Sequence, residues 1–121
     1  MSLNLDKFVD LDYCYLTTTG RVTGRPHTIE IWFAAHGQTL YFLSGDKEQA
    51  DWVKNFKKTP QVTVRLNRSY FAGHARIVTD KKEAALARKL LFTKYQPRYH
   101  DDLTSWRRTA LPVAIDLSAR L

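Results

Sequence analysis

Three strand signals follow one another before any long helix, and that order removes most architectures from consideration. Tyr13 to Thr19 is rich in β-branched and aromatic residues. Gly20 to Pro26 reads as a turn, with two glycines for unusual backbone angles and a proline to set the exit. His27 to Ala35 forms a second strand, with His27, Ile29, Ile31 and Phe33 on one face and Thr28, Glu30, Trp32 and Ala34 on the other. His36-Gly37-Gln38 then turns into a third, Thr39 to Leu43. Gln61 to Leu66, Tyr70 to Val78 and Leu111 to Leu117 continue the pattern. A doubly wound parallel sheet needs a helix after nearly every strand. The order instead predicts a mainly β, α+β architecture: six antiparallel strands closed into a small barrel with helices outside. Closure also removes exposed sheet edges.

The stretch after the third strand carries the strongest hint of a ligand. Ser44-Gly45-Asp46-Lys47 leads into an amphipathic helix predicted over Glu48 to Lys57, which Ser44 or Asp46 can cap. A helix start leaves its first N–H groups unpaired, and together with the helix dipole they attract anions. Lys47 and Lys54 add charge, and Trp52 offers a flat surface to a planar ring. The combination points to a phosphorylated, ring-bearing ligand. A second helix is predicted from Asp80, with Glu83 completing a capping box, and ends before Pro97. Residues 98–109 read as a loop with a short helix.

At 121 residues, 44% of them hydrophobic and 26% charged, the chain reads as one soluble domain spanning 1–121. Its apolar runs are too short to cross a bilayer, and Met1 to Tyr13 lacks the apolar core of a signal peptide. The single cysteine, Cys14, excludes an internal disulfide and a cysteine-based zinc site, and fits a reducing cytoplasm. A formal charge of +7 points to anionic partners, although the basic residues are spread along the chain.

Several chemistries are absent. The chain has no G-x-G-x-x-G or Walker-type loop, no H-E-x-x-H and no G-x-S-x-G elbow. Binding groups are present without an evident acid, base or nucleophile set. Such a protein suits a reaction whose difficult step belongs to a redox cofactor. Trp32, Trp52 and Trp106 are candidate walls for a flat slot, and Glu30 a polar group facing it. Two other classes stay open. One is a basic barrel binding single-stranded nucleic acid, against which the missing RNP-type motif counts; the other is a non-catalytic carrier of a flavin or tetrapyrrole.

The run Thr17-Thr18-Thr19-Gly20-Arg21-Val22-Thr23-Gly24-Arg25-Pro26-His27 resembles the opening motif of the deazaflavin (coenzyme F420)-dependent nitroreductase family. That family sits within the split β-barrel flavin and deazaflavin oxidoreductases, which include pyridoxamine 5'-phosphate oxidase. The likeness continues through Ile31-Trp32-Phe33, Leu43-Ser44-Gly45, Ala50 to Phe56, Thr59 to Val64, Lys94 to Tyr99 and Ser105 to Pro112. It implies a homodimer of split barrels, with F420 in a cleft at the subunit interface and a small electrophile (quinone, enone or nitro compound) as hydride acceptor. Carried onto this chain, the cofactor contacts are Arg21, Thr23, His27, Thr28, Glu30, Trp32, Ser44, Gly45, Lys47, Trp52, Lys54 and Asn55. Tyr95 and Tyr99 correspond to substrate-pocket tyrosines. The short, acid-bearing loop Ser44 to Gln49 departs from the familiar nitroreductases and keeps FMN as the alternative cofactor.

Overall fold

The computed structural model describes residues 3–121. Seven strands form one antiparallel sheet: β1 (Cys14–Thr19), β2 (Pro26–Ile31), β3 (Ala34–His36), β4 (Thr39–Ser44), β5 (Gln61–Leu66), β6 (Ser69–Ile77) and β7 (Leu111–Arg120). Helix α1 (Asp51–Lys58) links β4 to β5, while α2 (Lys81–Tyr95) and α3 (Thr104–Thr109) lie between β6 and β7. The strand order is β2-β1-β5-β6-β7-β4-β3. In a flat sheet of that order the outer strands would stand about 29 Å apart at ordinary strand spacing. Yet only Trp32 and Phe33 separate β2 from β3, and the chain from Ile31 to Ala34 reaches at most about 11 Å. The sheet must therefore curl until its two edges meet. The result is a split barrel, mainly β with flanking helices.

The expected six strands become seven because His27 to Ala35 is not continuous. Pro26–Ile31 pairs with β1, whereas Ala34–His36 pairs with β4. At the break, the Phe33 N–H donates to the Tyr95 hydroxyl oxygen at 3.0 Å, and the Phe33 carbonyl accepts from the Lys94 ammonium at 2.9 Å. Side chains from α2 thus take the place of a strand neighbour, and the chain can change partners there.

Two apolar clusters sandwich the barrel wall. Leu16, Phe33, Leu40, Phe42, Val53, Val64, Phe71 and Ile115 belong to the interior one. Tyr41, Leu43, Ala87, Leu91, Tyr95 and Ala114 belong to the second, beneath α2. β4 serves both, since successive side chains of a strand point to opposite faces. This explains why Leu40 to Leu43 reads as an unbroken apolar run. Cys14 is 1% exposed, and burial pushes its thiol up to about 12, so it is an inert core group.

The first helix begins later than its capping signals predict. Ser44 donates its hydroxyl to the Lys47 carbonyl at 2.9 Å, Lys47 takes a φ of 56°, and a short 3-10 turn covers Lys47–Gln49. That left-handed residue interrupts any helix from Ser44, and α1 starts only after Ala50. At α2 the expected cap forms, with the Glu83 N–H donating to Asp80 Oδ2 at 2.9 Å. The Glu83 carboxylate turns instead to Arg76, at 2.7 Å, and to the Tyr41 hydroxyl, at 2.7 Å. No helix among the described residues is long and apolar enough to cross a membrane.

Candidate functional site

Beyond the end of β1 the chain makes a tight loop over Gly20 to Arg25. The Gly20 N–H donates to the Arg25 carbonyl at 2.7 Å, and the Gly24 N–H to the Gly20 carbonyl at 2.9 Å. Gly24 has a φ of 76°, a conformation that glycine adopts without penalty. A Cβ on Gly20 would stand 2.7 Å from His27 Nε2, so the absence of a side chain there lets the imidazole close over the turn.

Helix α1 holds this loop in place. Asp51, Asn55 and Lys58, at i, i+4 and i+7, share one helix face, and each bonds to Arg21. Asn55, 3% exposed, accepts from the Arg21 N–H at 3.2 Å and from its guanidinium at 2.9 Å, and donates to Thr18 Oγ1 at 3.1 Å. Asp51 accepts from the guanidinium at 3.1 Å, and Lys58 donates to the Arg21 carbonyl at 2.9 Å.

Two clefts open beside this junction. One, of about 430 Å³, is lined by the loop, the start of β2 and the α1 residues Asp51, Trp52 and Asn55. The other, of about 410 Å³, runs between β2 and the end of β4 and includes Ser44, Gly45 and Ala50. Trp52 and Ile29 line both, so the indole forms a common wall where the clefts adjoin. Trp52 is braced from behind by Phe42 and Phe56, with ring centroids at 6.1 and 5.9 Å.

Residues 5–118 match the family model described as F420H2-dependent quinone reductase. The chain belongs to that family. Members are oxidoreductases, and their cofactor is coenzyme F420. Similar solved structures include a conserved hypothetical protein from Mycobacterium tuberculosis, with a TM-score of 0.77, 19% identity, and coverage of 96% of this chain and 79% of that one. A protein named F420 reductase aligns with a TM-score of 0.69 at 16% identity, covering 100% and 98% of the two chains. A Listeria innocua protein provisionally named a pyridoxamine 5'-phosphate oxidase gives 0.72 at 14%, covering 97% and 92%. At these identities the likeness establishes the shared split-barrel fold.

The donor set of this F420H2-dependent reductase family member fits its cofactor. A deazaflavin needs a flat apolar wall, which Trp52 and Ile29 provide. Its phosphate and side-chain oxygens need donors and positive charge. Arg21 and Lys58 meet at the loop, and Thr23 and Thr28 line the same cleft as Arg21, the Thr28 hydroxyl being paired with that of Thr17 at 2.7 Å. The first amides of α1 have no carbonyl of their own helix to bond, and Asp51 and Trp52, which carry two of them, line the cleft.

Of the residues expected at the site, Arg21, Thr23, His27, Thr28 and Asn55 line the first cleft, Glu30, Ser44 and Gly45 the second, and Trp52 both. Asn55 is occupied within the protein, which makes it a positioning group. Lys47 sits exposed on the 3-10 turn and Lys54 is half-buried on α1; neither lines the two clefts. Trp32 stacks on Tyr95 at 4.3 Å with the rings 1° from parallel, and meets Tyr99 and Trp106 edge-on. It therefore stands in the cluster beneath α2, apart from the wall that Trp52 makes. Tyr95 is 2% exposed and its hydroxyl also donates to the Asp12 carbonyl at 2.8 Å. Burial pushes that phenol well above its usual range. Tyr99 is partly exposed beside Trp32. Sequence reasoning missed Thr18 and Asp51, which line the first cleft, and Lys58, which bonds to its loop. For Asp51 and Lys58 the signal lies in spacing, since both share the helix face of Asn55.

Proposed function

We propose that this protein passes a hydride from reduced F420 to a small electrophile, with quinones the first class to test and enones and nitro compounds next. The observation that carries this reading is the pair of adjoining clefts that share Trp52 and Ile29. Bound and reduced, F420 supplies the hydride. The chain's own residues bind and orient. Trp52 and Ile29 form the flat wall, while Arg21, with the Thr23 hydroxyl and the first amides of α1, holds anionic and polar substituents, and Lys58 fixes the Arg21 backbone. Arg25, at the exposed end of the same loop, is placed to meet further negative charge. Ser44 and Gly45 border the second cleft, which leaves room beside the wall for the acceptor. Water reaches both open clefts and can deliver the proton that accompanies the hydride, so no side chain is assigned that role.

The working form proposed is a homodimer. Val22, at the loop tip on the cleft rim, is 89% exposed, and β2 keeps only Ile29 and Ile31 half-buried. A second copy laid over this side would cover both. The proposed location is the cytoplasm, where a lone buried thiol such as Cys14 persists reduced. The test is reoxidation of F420H2 by menadione, cyclohexenone and a nitroaromatic in the presence of the protein. Turnover with any of these supports the reading; a rate equal to the protein-free control with all three overturns it.

A further inference from the structure

A third cleft, of about 310 Å³, lies between the N-terminal segment, β3 and α2, and shares no lining residue with the two beside Trp52. Val9, Ala34, Ala35 and Leu90 give it an aliphatic wall without aromatic rings. Its charges are unbalanced: Lys89, Lys94 and Arg98 face one acid, Asp10. Asp10 is 96% exposed and lies 3.9 Å from Arg98, whose main partner is Asp12 at 2.7 Å.

Lys94 is the unusual member. Its ammonium lies 3.9 Å from the centre of the Phe33 ring and donates to the Phe33 carbonyl at 2.9 Å. An ammonium has three donors, and the carbonyl takes one. Lys94 belongs to none of the ion pairs among the described residues. Burial, reinforced by the charge on Arg98, pushes its pKa down to about 8, against the opposing pull of Cys14, Asp10 and Asp12. A half-buried cation without a counter-charge, at the edge of an aliphatic cleft, is stabilised by an anion that carries its own apolar body.

We propose that this cleft binds a small aliphatic carboxylate, its head on Lys94 and its chain against Val9, Ala34, Ala35 and Leu90. The bound carboxylate favours the charged amine. Binding therefore draws in a proton near pH 8 and weakens as the pH rises further. Lys89, on the open side of α2, adds attraction over a longer range.

The test is calorimetric titration of the full chain with octanoate, octylamine and acetate at pH 8 in two buffers of different ionisation heat. Saturable octanoate binding with proton uptake is expected, with octylamine and acetate at least about tenfold weaker. Lys94→Met should weaken octanoate about tenfold or more and abolish the proton uptake. Thr93→Trp, an exposed α2 change that fills the cleft mouth, should do the same to affinity and serves if the Lys94 variant fails to fold. Both variants should bind F420 as the parent does. Equal binding of octanoate and octylamine, undiminished binding in either folded variant, or loss of octanoate binding in Trp52→Ala would overturn the proposal.

Discussion

The side-chain oxygen of Asn55 accepts from both the backbone N–H and the guanidinium of Arg21, at 3.2 and 2.9 Å. One buried amide thereby sets the position of the loop and the direction of its arginine. Its nitrogen reaches Thr18 on β1, so α1, the loop and the barrel wall are joined at a single side chain.

Asn55→Ala should consequently damage stability and binding together. Leaving Thr18 and the Arg21 amide without their buried partner costs about 1–3 kcal/mol. The loop is then free to move, and F420 affinity should fall as well. Urea unfolding and a cofactor titration on the same preparation check both halves; an unchanged affinity would remove the loop from the binding site.

Trp52→Ala should separate the two quantities. Trp52 is half-buried, and its truncation removes part of an apolar contact worth about 1–2 kcal/mol. Cofactor affinity should drop further, about tenfold or more, because a stacking wall is lost. Trp52→Phe should recover most of it. If stability and affinity decline in step for both variants, Trp52 is ordinary core.

Gly20 and His27 should be coupled. Gly20→Ala forces a Cβ to within 2.7 Å of the imidazole and 3.0 Å of the Arg25 carbonyl. The variant should be destabilised and bind F420 less well, and His27→Ala in the same chain should restore part of the stability. A double-mutant cycle measures the coupling. Additive effects would show that the ring is not held against Gly20.

Much of this arrangement is legible in the sequence, and the parts that are not share a cause. The alternation in Gln61 to Leu66 and the turn residues around Gly24 and Gly37 are local signals, and the corresponding strands form where they predict. The break at Trp32-Phe33 depends on Tyr95, sixty-two positions along the chain, and no local pattern encodes such a contact. Tyr95 itself reads as a pocket residue because the family resemblance places a substrate-pocket tyrosine at its position. Its burial follows from α2 crossing the outer face of β4. The helix start was misplaced for a different reason: Ser44 and Asp46 are genuine cap formers, but the left-handed backbone of Lys47 carries no residue-type signature. Most of the residues that the resemblance names for the cofactor line the two adjoining clefts because the loop, β2 and α1 converge on one place. Lys47, Lys54 and Trp32 were not separable from them by residue type alone.

Arg76 gathers Glu83 and Asp116 at the base of α2, with contacts of 2.7 and 2.8 Å. The guanidinium holds both carboxyls below their ordinary values of 4.5 and 3.8. Depressed folded-state values mean that the unfolded chain takes up protons first as the pH falls. The stabilisation is therefore complete above those ordinary values and is lost as the pH drops below them toward the folded values. Arg76→Gln should flatten the dependence of the urea midpoint on pH in that acidic window and leave the slope near neutrality unchanged. An identical acid profile in parent and variant would refute the linkage.

The most direct measurement is a fluorescence titration of the purified protein with F420 and with FMN in the same buffer, run beside Trp52→Ala. Saturable binding that favours F420 and is lost in the variant is the predicted result. Preference for FMN, binding of neither, or F420 binding untouched by the variant would contradict the assignment of the cleft at Trp52 as the deazaflavin site.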